Sequence, residues 1–300
     1  MTDTGPVPRH DPNVDAVLEH LDGDQITPRS KEEPTMTQVQ TAPPTEAAAP
    51  PGRLARIQKG KAREPQRTML YGIPGVGKST FGSMAPAPIF IQTEDGLGHL
   101  SVDKFPLARS VGDVMQCIAD LYQEKHGYQT VVVDSLDWME RLIHQEVCRE
   151  QRVQNIEDIG YGKGYSFALA HWRRILEGLD ALRNERGMQV IAIAHSAIEK
   201  FADPTNESYD RYTPRMHKSA NAIVQEWADN ILFATMKVLT RTNKQAFGQT
   251  EVKAVDDGAR VLKCTPRPMY IAKNRLQLPD EIPLDYRHFS HLAYGTPPAA

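Results

Sequence analysis

From about residue 68 to residue 273, short apolar runs alternate with stretches in which apolar side chains recur every three or four positions. The runs read as buried strands and the helical spacing as the layers that cover them, which predicts an α/β fold with a mostly parallel sheet flanked by helices. The expected strands are Thr68–Tyr71, Ala87–Gln92, Thr130–Asp134, Gln189–His195 and Asn230–Thr235, with Arg260–Cys264 and Met269–Lys273 as a late antiparallel pair. Ser110 and Asp113 have the spacing of a capping box and open a helix with Val111, Val114, Ile118 and Leu121 on one face. A second helix passes through Met139, Ile143 and Val147. A third, Ser166–Arg183, carries Leu169, Trp172, Leu176, Leu179 and Leu182. Met216, Ala220, Ile223, Val224 and Trp227 mark a fourth.

The pattern is missing from residues 1–52, which are rich in Pro, Thr, Ala and acidic residues. Such a segment cannot bury enough apolar surface to offset its ordering entropy, so a disordered tail and linker are expected there. The folded core is then expected over 53–289 and a flexible C-terminal tail over 290–300. A brief amphipathic piece, Val14–Leu21, could form a transient helix or dock a partner. The 300 residues carry a formal net charge of −3, so any polyanion site must be local rather than a global basic field. Cys117, Cys148 and Cys264 are far apart and lack metal-ligand spacing, which fits reduced thiols. With no signal pattern and no apolar run near 18 residues, a cytoplasmic protein without a membrane partner is expected.

Candidate chemistry enters at Gly72-Ile73-Pro74-Gly75-Val76-Gly77-Lys78-Ser79-Thr80, which fills every position of the phosphate-binding loop G-x-x-x-x-G-K-[ST] between an expected strand and an expected helix. Glycines let backbone N–H groups close around phosphate oxygens. Lys78 places a compact positive charge on the terminal phosphates, and the Ser79 hydroxyl can ligate magnesium. ATP and Mg2+ are the ligands implied.

Ligands in such sheets bind at the carboxyl ends of strands, so strand-terminal polar residues carry the next inferences. Asp134 closes an apolar run and fits the second nucleotide motif, holding magnesium with Ser79. Glu94, just past the second strand, is the candidate for orienting the attacking water, with Asp95 as its rival. His195 ends the fourth strand, where a polar group can sense the γ-phosphate. Lys273 and Arg275 suit a finger that reaches a neighbouring subunit's γ-phosphate, which implies a homo-oligomer, ring or filament.

Two stretches read as mobile binding loops. In Arg149–Tyr165 the candidates are Arg149, Arg152, Tyr161, Lys163 and Tyr165. In Lys200–Lys218 they are Lys200, Phe201, Tyr209, Arg211, Tyr212, Arg215 and Lys218. Aromatic faces interleaved with cations suit single-stranded DNA, by base stacking and phosphate contact with little sequence readout.

With these landmarks in place, the chain resembles the RecA-like ATPases, and among them the phage-encoded nucleotide-binding proteins of the Sak-type single-strand annealing and recombination group. The resemblance spans about residues 54–287 and rests on the ordered set G-I-P-G-V-G-K-S, T-E-D-G, V-V-V-D-S, Y-G-K-G-Y, A-H-S and A-K-N-R. It implies a three-layer P-loop NTPase, Mg-ATP on Lys78, Ser79 and Asp134, Glu94 as catalytic glutamate, Lys273 and Arg275 as a trans-acting pair, and DNA on the two loops; a single-strand-binding protein or a replication or recombination partner is then expected on the N-terminal tail. His195 departs from the Gln or other small polar group of many relatives. A helicase or helicase loader and a nucleotide-gated interaction module remain alternatives. A small-molecule kinase would need an Arg-rich lid, which the sequence lacks.

Overall fold

The chain enters the sheet at β1, Arg67–Gly72, whose residues are buried from Thr68 onward. A computed structural model describes residues 64–203, 207–244 and 250–295, with side chains described throughout except at 238–244 and 250–257. The expected N-terminal tail and linker, and residues 296–300, lie outside the described residues. All the described residues but the first fall in one unit, Pro65–Ala300.

After β1 come helix α1 (Lys78–Ser83), β2 (Pro88–Gln92), β3 (Asp103–Lys104), α2 (Val111–Gln123), β4 (Thr130–Asp134), α3 (Leu136–Gln151), α4 (Lys163–Arg186), β5 (Gln189–Phe201), β6 (Tyr209–Pro214), α5 (Lys218–Trp227), β7 (Asn230–Lys244), β8 (Thr250–Lys263), β9 (Lys273–Asn274), β10 (Glu281–Pro283) and α6 (Tyr286–Tyr294). The strands lie in the order β10-β8-β7-β1-β5-β4-β2-β3, with β6 added to β5 and β9 to β7. The centre, from β7 through β1, β5, β4 and β2 to β3, is parallel, while β8 and β10 form an antiparallel edge. All five residues of β4 are buried, as expected of a parallel strand covered on both faces.

Because side chains alternate across a strand, each strand feeds two cores. Leu70, Phe90, Val132, Ile193 and Leu232 join Phe81 of α1 and Tyr286 and Phe289 of α6 in one cluster. Phe81 meets both α6 rings edge-on, at centroid distances of 5.3 and 5.6 Å. Met69, Ile91, Val131, Val133 and Ala192, the alternate positions, are equally buried, and α2, α3 and α4 pack on one another. The Ser110–Asp113 capping box forms as expected, Asp113 N donating to Ser110 Oγ at 3.1 Å and Ser110 N to Asp113 Oδ2 at 3.0 Å.

Four expectations need correction. The late pair is not a hairpin, because β8 pairs with β7 and β10 while Lys273–Asn274 pairs with the start of β7. The Lys200–Lys218 stretch is not a simple loop: β5 runs on past the sheet to Phe201 and β6 returns beside it antiparallel, from Phe201↔Tyr209 to Ser196↔Pro214. The Arg149–Tyr165 stretch is short, since α3 continues to Gln151, a 3-10 turn occupies Ile156–Ile159 and α4 begins at Lys163. The C-terminal tail does not start at 290, because α6 extends to Tyr294, with Phe289 buried.

Candidate nucleotide site

Gly72 sits between two parallel neighbours, opposite His195 of β5 and Ala234 of β7. A Cβ here would lie 2.2 Å from the Ala234 carbonyl oxygen, so glycine is required by the approach of two backbones. The chain then turns through Gly75 and Gly77, at φ 74° and 110°, conformations that L side chains rarely adopt. Between them Val76 is fully buried and pins the loop to the core. Pro74, Gly75, Gly77, Lys78, Ser79 and Thr80 line an open cleft of about 480 Å³, closed on its other sides by Glu94, Gly96, His99, Asp134, His195 and Arg260.

Lys78 is buried, and its Nζ donates to the carbonyls of Gly72 at 3.1 Å and Ile73 at 3.0 Å. Burial lowers its pKa, opposed by Asp134, Asp137 and Glu94. The Ser79 hydroxyl donates to Asp134 Oδ2 at 2.6 Å. Burial raises the Asp134 carboxyl above its ordinary value, and the Ser79 hydrogen bond pulls the other way. Two oxygen donors in contact, one of them a buried carboxylate, have the chemistry of a hard divalent cation site, and Ser79 and Asp134 would hold magnesium.

The ends of β2 and β4 are locked together. Thr93 Oγ1 donates to the Ser135 carbonyl at 2.7 Å and accepts the Ser135 N–H at 2.9 Å. The Asp134–Ser135 peptide bond is cis. This clamp places Glu94 on the cleft wall, where Ser135 Oγ donates to its Oε2 at 3.2 Å and His195 Nδ1 lies 3.8 Å away. Asp95 is exposed and does not line the cleft.

His195 leads to a residue that sequence reasoning missed. Asp137, in the first turn of α3, has a side chain only 3% exposed and accepts from His195 N at 3.0 Å and from His195 Nδ1 at 3.2 Å. It also accepts from Arg215 Nε and Nη2. Burial works against its ionised form, but these donors outweigh it and hold the carboxyl well below the usual range. One turn on, buried Glu140 accepts the His217 backbone N–H at 2.9 and 3.0 Å. Both carboxylates sit within six residues of Asp134, and nothing in the sequence separates them from ordinary first-turn or helix-face acids. Only the folded helix aims them at the β6–α5 segment.

The proposed DNA residues divide into three sets. Phe201, Tyr209 and Arg211 cluster on the β5–β6 hairpin, the Arg211 guanidinium lying 3.9 Å from the Phe201 ring centroid. Arg149, Arg152, Tyr161, Lys163, Lys200 and Lys218 are exposed, Tyr161 fully so, and Arg149 pairs with Glu146 on its own helix. Three are corrections to the picture of free loop contacts, because each is engaged within the chain. Tyr165 stacks on His217 at 3.8 Å and donates to Glu157, Tyr212 stacks on Phe233 in a half-buried position, and Arg215 is committed to Asp137.

Lys273 and Arg275 lie elsewhere. β9 pairs with Asn230 and Ile231 at the amino end of β7, opposite the phosphate loop, so neither cation can reach its own chain's cleft. Lys273 Nζ caps the carboxyl end of α5, donating to the carbonyls of Gln225, Glu226 and Ala228. Arg275 pairs with Asp229 at 2.7 Å while its side chain stays more than half exposed.

A parallel sheet with a glycine-bound phosphate loop at the carboxyl end of its central strand, and a Ser–Asp pair beside it, defines a P-loop nucleotide-binding domain. The sequence model of the family described as AAA domain matches residues 64–276, and the chain belongs to that family. It is also similar to the SPbeta prophage-derived uncharacterized protein YorG of Bacillus subtilis (strain 168), 26% identical over 146 residues, 47% of this chain and 44% of that protein. The chain thus matches less than half the length of that relative. Among the described residues, no helix is long and apolar enough to cross a membrane.

Proposed function

We propose that this chain is an ATP-dependent single-stranded DNA-binding protein of the phage recombinase and annealing type, in which Mg-ATP binding and hydrolysis are coupled to the β5–β6 hairpin. The observation that carries the reading is the buried Asp137, which joins the cleft to the hairpin: Glu94 and His195 face the nucleotide side, and Arg215, at the end of β6, completes the set. β5 itself spans both regions, running from the centre of the sheet through His195 to Phe201. A change at the γ-phosphate that moves His195 therefore acts on the strand that carries Phe201 and, through its pairing with β6, on Arg211.

In this reading the glycine-rich loop wraps the phosphates and Lys78 turns its ammonium from the Gly72 and Ile73 carbonyls to the terminal phosphates. Ser79 and Asp134 hold magnesium, whose chemistry there is to neutralise phosphate charge. Glu94 orients the attacking water and accepts its proton, and Ser135 fixes the carboxylate's orientation. Phe201 and Tyr209 offer ring faces to bases, while Arg211, Lys200 and Lys218 meet the backbone. Arg275 is the exposed member of the late cation pair and the candidate for reaching a neighbouring chain's nucleotide. The prophage origin of YorG and the resemblance of the ordered motifs to those of the Sak-type group support placing the activity in phage DNA metabolism.

The test is ATP turnover of the full chain with and without a single-stranded oligonucleotide, alongside fluorescence anisotropy of a labelled oligonucleotide at low salt. Stimulation together with ATP-sensitive, salt-dependent binding is expected. No stimulation and no binding would end the DNA half of the reading and leave a nucleotide-gated module.

A further inference from the structure

We propose that Arg260, a residue no motif flags, contacts the phosphate chain of the nucleotide bound by its own subunit. The inference deepens the ATP reading above and rests on it. Arg260 lies on β8 at the antiparallel edge of the sheet, opposite Met236, and its carbonyl accepts the Leu284 N–H at 2.9 Å. Its backbone is thus held on both sides, and the following Val261 and Leu262 are buried in the core. From this fixed base the side chain crosses to the phosphate loop, where Arg260 Nη1 lies 3.2 Å from the position a Cβ on Gly77 would take. The residue lines the cleft, and among the residues whose side chains are described no carboxylate pairs with its guanidinium.

Charge explains why the cleft needs it. A triphosphate brings several negative charges, yet the acidic side chains Glu94 and Asp134 already line the wall, and among the described residues Lys78 is the only other Lys or Arg lining it. Without Arg260 the protein's own contribution would be net negative, and a polyanion would be drawn in against the local field. A guanidinium offers several donors in a planar fork that matches phosphate oxygens, and a strand-borne arginine reaches them without domain closure. The position also separates its role from that of Arg275, which sits at the opposite end of the sheet and could serve only another copy's nucleotide.

The experiment compares the full-length protein with Arg260→Gln and Arg260→Lys. It measures affinity for a fluorescent ATP analogue, competition by inorganic tripolyphosphate, which has no base or sugar, and thermal unfolding. Loss of one charge-assisted contact weakens both ATP analogue and tripolyphosphate by roughly 10- to 100-fold, with unchanged melting temperature, and the lysine variant recovers part of the loss. If tripolyphosphate binds both proteins equally while ATP weakens, Arg260 serves the base or ribose and the proposal is wrong. It is also wrong if Arg260→Gln binds ATP normally while the parent binds it well. Turnover recovered on mixing Arg260→Gln with Lys78→Ala would overturn the same-subunit assignment. A parent protein that binds neither probe would instead remove the ATP reading itself, and this inference with it.

Discussion

Glu140 offers a test of the buried polar layer that is independent of any ligand. The side chain is buried on α3, and burial, reinforced by Asp137, pushes its carboxyl up from 4.5 to about 7 despite the His217 N–H that favours the ionised form. The folded chain therefore holds this proton more tightly than the unfolded chain. The stability it contributes is fully present below about pH 4.5 and is lost as pH rises through about 7. At about 1.4 kcal/mol per pH unit, that interval corresponds to roughly 3 kcal/mol. In Glu140→Gln the amide carbonyl can still accept the His217 N–H, but the buried amide group costs about 1–3 kcal/mol if unpaired. That cost does not depend on pH, so the comparison of two pH values isolates the carboxyl. His144 and His217, both lowered by burial, titrate in parent and variant alike and cancel to first order. Urea unfolding at pH 5 and pH 8.5 should show the variant gaining about 2–3 kcal/mol on the parent across the interval. Parallel pH profiles would refute the reasoning and mean that Glu140 stays ionised when buried.

Other outcomes follow from the same geometry. Glu94→Gln should lower ATP turnover by about 10²- to 10⁴-fold while ATP stays bound, and normal turnover would refute Glu94 as the water-orienting group. Gly72→Ala drives a Cβ into the Ala234 carbonyl, and a loss of at least ~1–3 kcal/mol should appear as a lower melting temperature; an unchanged one would mean that β1 and β7 separate easily. Asp137→Ala strands the His195 N–H, and because Arg215 is 45% exposed the expected loss is nearer ~2 kcal/mol than the figure for a fully buried pair. The same variant should uncouple DNA binding from ATP, and intact ATP sensitivity of oligonucleotide anisotropy would count against the relay. Mixing Lys78→Ala with Arg275→Ala should restore part of the turnover if Arg275 serves a neighbouring chain, and no recovery would leave it as a partner of Asp229 alone.

What could be read from the chain was what short-range chemistry dictates. The parallel strands follow from unbroken apolar runs, the α2 cap from Ser110 and Asp113, and the phosphate loop from glycines that alone tolerate its dihedral angles. The strand-end rule singled out Asp134, Glu94 and His195, and the structure brings all three to one cleft, because in a parallel sheet carboxyl ends gather on one edge whatever the loops do. The loops themselves were less legible, since a run of mixed polar and aromatic residues does not reveal that β5 will continue to Phe201 and pair with β6.

The sequence by itself determined the phosphate loop, its sheet and the identities of the polar residues at the strand ends. Tertiary structure decided which of those residues meet. Asp137 has no motif because its role exists only when α3, the end of β5 and the end of β6 converge, and Arg260 reaches the loop only because β8 folds back beside β7. The physical reason is the same in both cases: burial and charge pairing depend on distances between residues tens to more than a hundred positions apart, which the local pattern of a chain does not encode.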